Sequence, residues 1–264
     1  MGEIKKTYIK RYEKSDTDIE IVEMELAIIF SLIAFTSAGN IFQISFDQLN
    51  SIASSGESEL LHDVFREDGA LVVSSLPPEY AEAVRGLKTH GPKCLENNSL
   101  PVFDLPDGSQ RRTFALDSDT RTEYPDCVEE ESNTIHQYFD HLDTVMSAVI
   151  LDVIGDLGKT EWTTEDSQGG NILDKVYKEH IHVYTNHEEQ GTDYAVPFHT
   201  DNGLMLFLTP FQEHPLVIRN RREEHLDLSH IGDDSVIVII GSALPNWLVK
   251  GLTCCCCVSV NVNH

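Results

Sequence analysis

Apolar positions along this chain fall into two rhythms. Between residues 134 and 157 they recur every three or four residues, at Ile135, Phe139, Leu142, Val145, Met146, Val149, Ile150 and Val153, which is the spacing of one buried face of a long helix. After residue 203 the rhythm changes to short runs rich in branched residues, at 204–208, 215–218 and 235–241, each bounded by proline, glycine or charge. Runs of that kind predict successive strands. The stretches 123–131 and 161–168 are acidic or polar, and Gly169-Gly170 and residues 186–192 read as loops, where specificity is commonly carried. His136 and His141 fall on the predicted long helix and read as exposed helix histidines.

A third pattern precedes these. Residues 26–38 form an apolar run of 13 that ends in Thr36-Ser-Ala38. A membrane span needs about 20 such residues, so no stable span is expected, and the length matches a signal-peptide core with cleavage after Ala38. Residues 1–23 carry Lys5, Lys6, Lys10, Arg11 and Lys14 but also Asp16, Asp18, Glu20 and Glu23, a long and partly acidic leader. The competing reading is a buried N-terminal helix or strand. Secretion, or the lumen of an endomembrane compartment, is the expected location, with the cytoplasm as the alternative. In a secreted chain, Asn97-Asn-Ser99 matches a glycosylation sequon and Cys94 and Cys127 could pair, a bond that sequence alone does not establish.

Composition changes the picture only modestly. The 264 residues, 41% hydrophobic, allow one domain of about 200 residues plus an extension. We divide the chain into an N-terminal extension (1–40), a helical and strand region (41–160), a core of strands (161–251) and an atypical cysteine-rich tail (252–264). With 44 acidic against 19 basic residues the net charge is −25, which excludes nucleic acid as a partner, since such binding needs clustered Lys and Arg. The same charge mildly favours a neutral or cationic substrate. The acidity itself reads most simply as a solvated surface.

Candidate chemistry centres on Phe198-His-Thr-Asp201, just ahead of the run 204–208. In an extended chain residues i and i+2 share a face, so His199 and Asp201 converge on one point. An imidazole and a carboxylate so placed supply two of the three ligands of a 2-His-1-carboxylate site, which holds non-haem Fe(II) with open positions for oxygen chemistry.

Four stretches in order extend this. Glu59-Leu-Leu-His-Asp-Val-Phe-Arg-Glu-Asp-Gly-Ala-Leu-Val-Val73 with Leu76-Pro-Pro78, then Ile181-His-Val-Tyr184, then His199-Thr-Asp201, then Val238-Ile-Ile-Gly-Ser-Ala-Leu-Pro-Asn-Trp247 together resemble the isopenicillin N synthase-like family of Fe(II)- and 2-oxoglutarate-dependent dioxygenases, over roughly residues 45–250. The first stretch looks like that family's N-terminal helix, glycine, buried strand and next-helix start. The resemblance implies an α+β fold with a double-stranded β-helix core, a cupin-like jelly roll with flanking helices. It implies Fe(II) as cofactor, 2-oxoglutarate as co-substrate, and oxidative decarboxylation of 2-oxoglutarate coupled to C–H hydroxylation, or a related oxidation, of a small organic substrate. His199 and Asp201 would be metal ligands. Tyr184, and His182 in the place of the family's Asn, would line the 2-oxoglutarate end.

The resemblance fails at the C-terminal end. A second histidine should follow Asp201 by fifty to sixty residues, with an Arg-x-Ser soon after, yet the chain offers Cys254-Cys-Cys-Cys257 there and no arginine after Arg222. His264 lies 63 residues beyond Asp201 and is the one histidine left for the third ligand. Lys250 is the only later cation, a point charge that does not reproduce a planar fork. Three readings of the tail stand: residues 252–264 replace the true strand in a truncated or mis-spliced product, so that the jelly roll lacks its closing strand; Cys256, a neighbouring thiolate or His264 completes the site; or the site is degenerate. Under the first and last the chain is a catalytically defective jelly roll acting as a binding protein, so whether it is an enzyme stays open at this point.

Overall fold

The computed structural model describes residues 41–55, 59–98, 100–105, 108–117, 123–156, 178–185, 196–201, 203–210, 216–220, 224–226, 228, 231–242 and 257–260. All lie within one compact unit spanning residues 39–264. The expected leader, Ser99 of the sequon, the loops at 169–170 and 186–192, Lys250, Cys256 and His264 lie outside the described residues.

Four helices and eleven strands make up the described chain: β1 (Gln43–Ser45), α1 (Phe46–Ser55), α2 (Glu59–Glu67), β2 (Ala70–Ser74), α3 (Pro78–Asn97), β3 (Val102–Asp104), β4 (Gln110–Asp117), α4 (Glu129–Asp156), β5 (Lys178–Thr185), β6 (Val196–His199), β7 (Met205–Leu208), β8 (Leu216–Arg219), β9 (His225–Leu226), β10 (Val236–Ile240) and β11 (Cys257–Val260). Local chemistry explains several boundaries. Ser45 and Gln48 form a reciprocal cap at the start of α1, the Gln48 amide donating to Ser45 Oγ and the Ser45 amide to Gln48 Oε1. After α2 the chain reverses at Gly69, whose φ of 66° is the left-handed conformation that glycine adopts without a Cβ penalty, and its amide reaches back to the Val64 carbonyl. Pro77 and Pro78 open α3, where their missing amides are unneeded.

The strands form three sheets, in the orders β1-β2-β10-β7, β6-β11-β8-β9 and β3-β4-β5. The first is apolar on both faces. Val236, Val238 and Ile240, with Leu71 and Val73, face the helices and meet Leu142, Val145, Met146 and Val149 of α4. Ile237, Ile239, Ala70 and Val72 face the other way and meet Ile218, Leu226, Leu228 and Ile231 of the second sheet's side. The architecture is thus α+β, with a helical layer on a sheet that packs against another sheet. β2, from the N-terminal half, pairs with both β1 and β10, so the two halves of the chain share one core.

Two findings differ from expectation. Cys257–Val260 forms a strand seated between β6 and β8, so this part of the tail does supply a strand; the branched Val258 and Val260 suit an extended backbone. His136 is partly buried rather than exposed, because its ring pairs with Glu179 of β5, which also receives the Tyr124 hydroxyl. His141 is exposed as expected and hydrogen-bonds Asn50 Oδ1 at 2.9 Å. Cys94 and Cys127 are joined by a disulfide. No helix among the described residues is long and apolar enough to cross a membrane.

Candidate active site

His199 closes β6, and its register row runs through Val258 of β11 to Ile218 of β8. Residues directly opposite in adjacent strands share a face. Ile218 packs into the core between the sheets, so His199 belongs to the inward face. The His199 side chain stays 45% exposed and that of Asp201 37%, as befits residues at a mouth rather than in a core. His199 Nδ1 donates to the Pro197 carbonyl at 2.9 Å; a carbonyl can only accept, so this bond places a proton on Nδ1, and in the neutral ring Nε2 is the nitrogen left to bind a metal. Nε2 lies 3.6 Å from Asp201 Oδ1.

The turn that carries Asp201 is stapled to the end of β10. The Ser242 amide donates to the Asp201 carbonyl at 2.8 Å and the Gly241 amide to the Leu204 carbonyl at 3.0 Å. A Cβ at position 241 would collide with the Gly203 carbonyl and stand 3.2 Å from that of Asp201, so only glycine lets the two segments approach this closely. Gly241 and Ser242, within the stretch 238–247 that carries part of the resemblance, therefore hold the backbone of the turn from which the Asp201 carboxylate projects.

The third wall is the inner face of β5. His180, His182 and Tyr184 alternate along it, with ring centroids 5.3 and 6.2 Å apart. His182 Nδ1 and Thr113 Oγ1 share a hydrogen bond of 2.9 Å. Burial, then the charge of Arg111, then that of His180 push His182 down to about 4, so its ring is neutral near pH 7. Burial also lowers His180, with Arg111 and Lys178 adding to the effect and Asp201 opposing it. Tyr184 is raised by burial, opposed by its contact with the Arg111 guanidinium and reinforced by Asp201. The charge of Asp201 reaches both His180 and Tyr184 on this face.

The residues present fit a metal in part. A neutral imidazole nitrogen and a carboxylate oxygen, oriented from one short segment, are two suitable donors. Among the described residues no third His, Cys, Asp or Glu joins them in a metal-sized group. His180 and Arg111 went unnoticed in the sequence. The alternation from Lys178 to Tyr184 was the available signal for His180, whereas the doubly charged start of β4 gives no strand signal for Arg111.

No family model matches the sequence, and no curated protein matches it. Solved structures do: the chain has the fold of Fe(II)- and 2-oxoglutarate-dependent oxygenases. It superimposes on a 2OG-Fe(II) oxygenase family protein from Caulobacter crescentus with a TM-score of 0.55 and 14% identity, covering 86% of this chain and 81% of that one. With the rice dioxygenase for auxin oxidation the TM-score is 0.55 at 17% identity, with 84% and 78% covered. With JOX2, solved in complex with 2OG, Fe and JA, it is 0.54 at 17% identity, with 86% and 72% covered.

Proposed function

We propose that this chain is a non-haem Fe(II)- and 2-oxoglutarate-dependent oxygenase of the isopenicillin N synthase-like kind, built on a jelly-roll core, that oxidises a small organic substrate at a C–H bond. The observation that carries this reading is the fixed tautomer of His199 beside Asp201, on the inward face of a sheet in a fold shared with such oxygenases. His199 Nε2 and one Asp201 oxygen would hold the metal. When bound, Fe(II) with 2-oxoglutarate supplies the oxidising power for C–H cleavage, and the protein's part is to position and to exclude water. The Pro197 carbonyl orients His199, and the Gly241–Ser242 staple holds Asp201. Tyr184 and the neutral ring of His182 would line the 2-oxoglutarate end. The third ligand would come from the C-terminal segment, as His264, Cys256 or a neighbouring thiolate, residues flanking or within the strand whose Val258 pairs with His199.

The Cys94–Cys127 disulfide supports the secreted or lumenal location, since such bonds persist in oxidising compartments. Anaerobic titration with Fe(II) and 2-oxoglutarate tests the function. A visible charge-transfer band, followed by iron-dependent succinate release, is the expected result. In His199→Ala the band disappears and succinate release falls by more than about 100-fold, beyond the loss that outer-shell changes give. A wild-type protein that binds neither iron nor 2-oxoglutarate would instead be a non-catalytic binding protein.

A further inference from the structure

The inner face of the β4–β5 ladder carries a cation that the roles above leave unused. Arg111 stands directly across from Tyr184, Thr113 from His182 and Ala115 from His180, so a guanidinium, a hydroxyl, a phenol and two imidazoles share one face. The opposite face of the same strands is apolar, with Phe114, Leu116, Ile181 and Val183 packed on Leu95 and Tyr124. Arg111 is thus aimed away from the hydrophobic side and toward the space that Asp201 borders, since Arg111 and Asp201 both act on His180 and Tyr184.

Its partners are incomplete. Arg111 Nε is buried and has no hydrogen-bond partner, and among the described residues no carboxylate comes within 4.0 Å of its guanidinium. Phe103, its register partner on β3, lies with its ring centroid 5.7 Å from Arg111 Cζ and is 48% exposed. A guanidinium stays protonated in a protein, and a buried donor without an acceptor carries an uncompensated desolvation cost. In a chain of net charge −25, a half-buried arginine whose Nε is buried and unbonded, and whose guanidinium meets Tyr184 but no carboxylate among the described residues, is suited to receive a ligand. The planar fork matches a carboxylate in two parallel hydrogen bonds.

We propose that Arg111 is a carboxylate anchor, receiving the carboxylate of a small organic acid between Tyr184 and the His199–Asp201 pair, with the exposed Phe103 ring flanking it. The acid is either the co-substrate or the substrate, and both present the same group to Arg111. The choice of acids rests on the oxygenase reading; the anchor itself rests on the β4–β5 geometry.

Calorimetric titration of the full chain, metal-free and Mn(II)-loaded, with 2-oxoglutarate and with the monocarboxylates benzoate and phenylacetate tests this. Wild type binds at least one of the acids. Arg111→Gln weakens that binding by at least about 30-fold, the loss expected when one partner of a buried charged pair is removed. Arg111→Lys keeps the charge without the fork and remains about tenfold weaker than wild type; circular dichroism checks that each variant is folded, and the Lys variant decides if the Gln variant is not. Loss confined to 2-oxoglutarate identifies the co-substrate as the anchored acid, and loss confined to the monocarboxylates identifies the substrate. Equal affinity of wild type and both variants for every acid, or a wild type that binds none, overturns the anchor. Acid binding that needs Arg111 in a protein that takes up no Mn(II) leaves the anchor standing and removes the oxygenase reading, whereas Mn(II) uptake lost in His199→Ala with acid binding indifferent to Arg111 does the reverse.

Discussion

The sheet β1-β2-β10-β7 and the ladder β4–β5 are made of the same extended backbone and use their two faces differently. β10 turns Val236, Val238 and Ile240 to the helices and Ile237 and Ile239 to the second sheet, so both faces are core. β5 turns Ile181 and Val183 to a small apolar cluster and His180, His182 and Tyr184 to the opposite, polar face it shares with Arg111 and Thr113. The first arrangement maximises burial, the dominant favourable term in folding. The second gives up one face of burial and gains a surface on which charge and hydrogen bonding can act. Stability and chemistry are thereby assigned to different strands, and Gly241–Ser242 is where the two meet, since the end of β10 holds the carbonyl of Asp201.

Substitutions on either side sharpen that division. Ile237→Ala removes a fully buried side chain and is expected to cost about 2–5 kcal/mol, read as a fall in the urea midpoint, while metal affinity measured under folding conditions stays near wild type. A large loss of metal affinity there would erase the distinction between the regions. Gly241→Ala tests the junction. The collision of its Cβ with the Gly203 carbonyl is expected to cost about 1–3 kcal/mol, and the displaced Asp201 turn to weaken metal binding by about 10-fold or more; a metal titration with an unfolding curve separates the two effects.

The smallest effect belongs to the polar wall and depends on pH. His182 has a folded pKa of about 4 against an ordinary 6.5, so the unfolded chain binds its proton first. The folded state carries no penalty above pH 6.5, loses stability as pH falls from 6.5 toward 4, and levels off below that, by at most about 3 kcal/mol. His182→Asn should flatten that part of the profile, seen by comparing urea midpoints at pH 7 and pH 5. An unchanged slope would mean that His182 is not held neutral by its surroundings.

How much of this was legible beforehand varies by element. The long helix and the runs that became β7, β8 and β10 were readable because each buries a face set by its own local periodicity. α1 was missed although Ser45 and Gln48 spell its cap and Phe46, Leu49, Ile52 and Ala53 lie at helical spacing, because ten residues give a short periodic signal. β3 and β4 were missed because Gln110-Arg-Arg-Thr opens with polar residues, whose alternation becomes meaningful only once β5 lies alongside. The strand at Cys257–Val260 was hidden by the cysteine run before it. His136 was misjudged because its partner, Glu179, is 43 residues away.

By itself the sequence pointed to His199 and Asp201 as a pair, which the structure holds with Nε2 and Oδ1 3.6 Å apart although Asp201 lies past the end of β6, and it indicated which runs are buried. Tertiary structure alone decided which proton His199 carries, that Gly241 touches the turn holding Asp201, and that Arg111 stands against Tyr184. The last two are contacts between segments far apart along the chain, which local spacing does not encode and which exist only once hydrophobic burial has brought the strands together; the first is a bond within β6, from His199 to the Pro197 carbonyl two residues back, set by the folded strand's geometry.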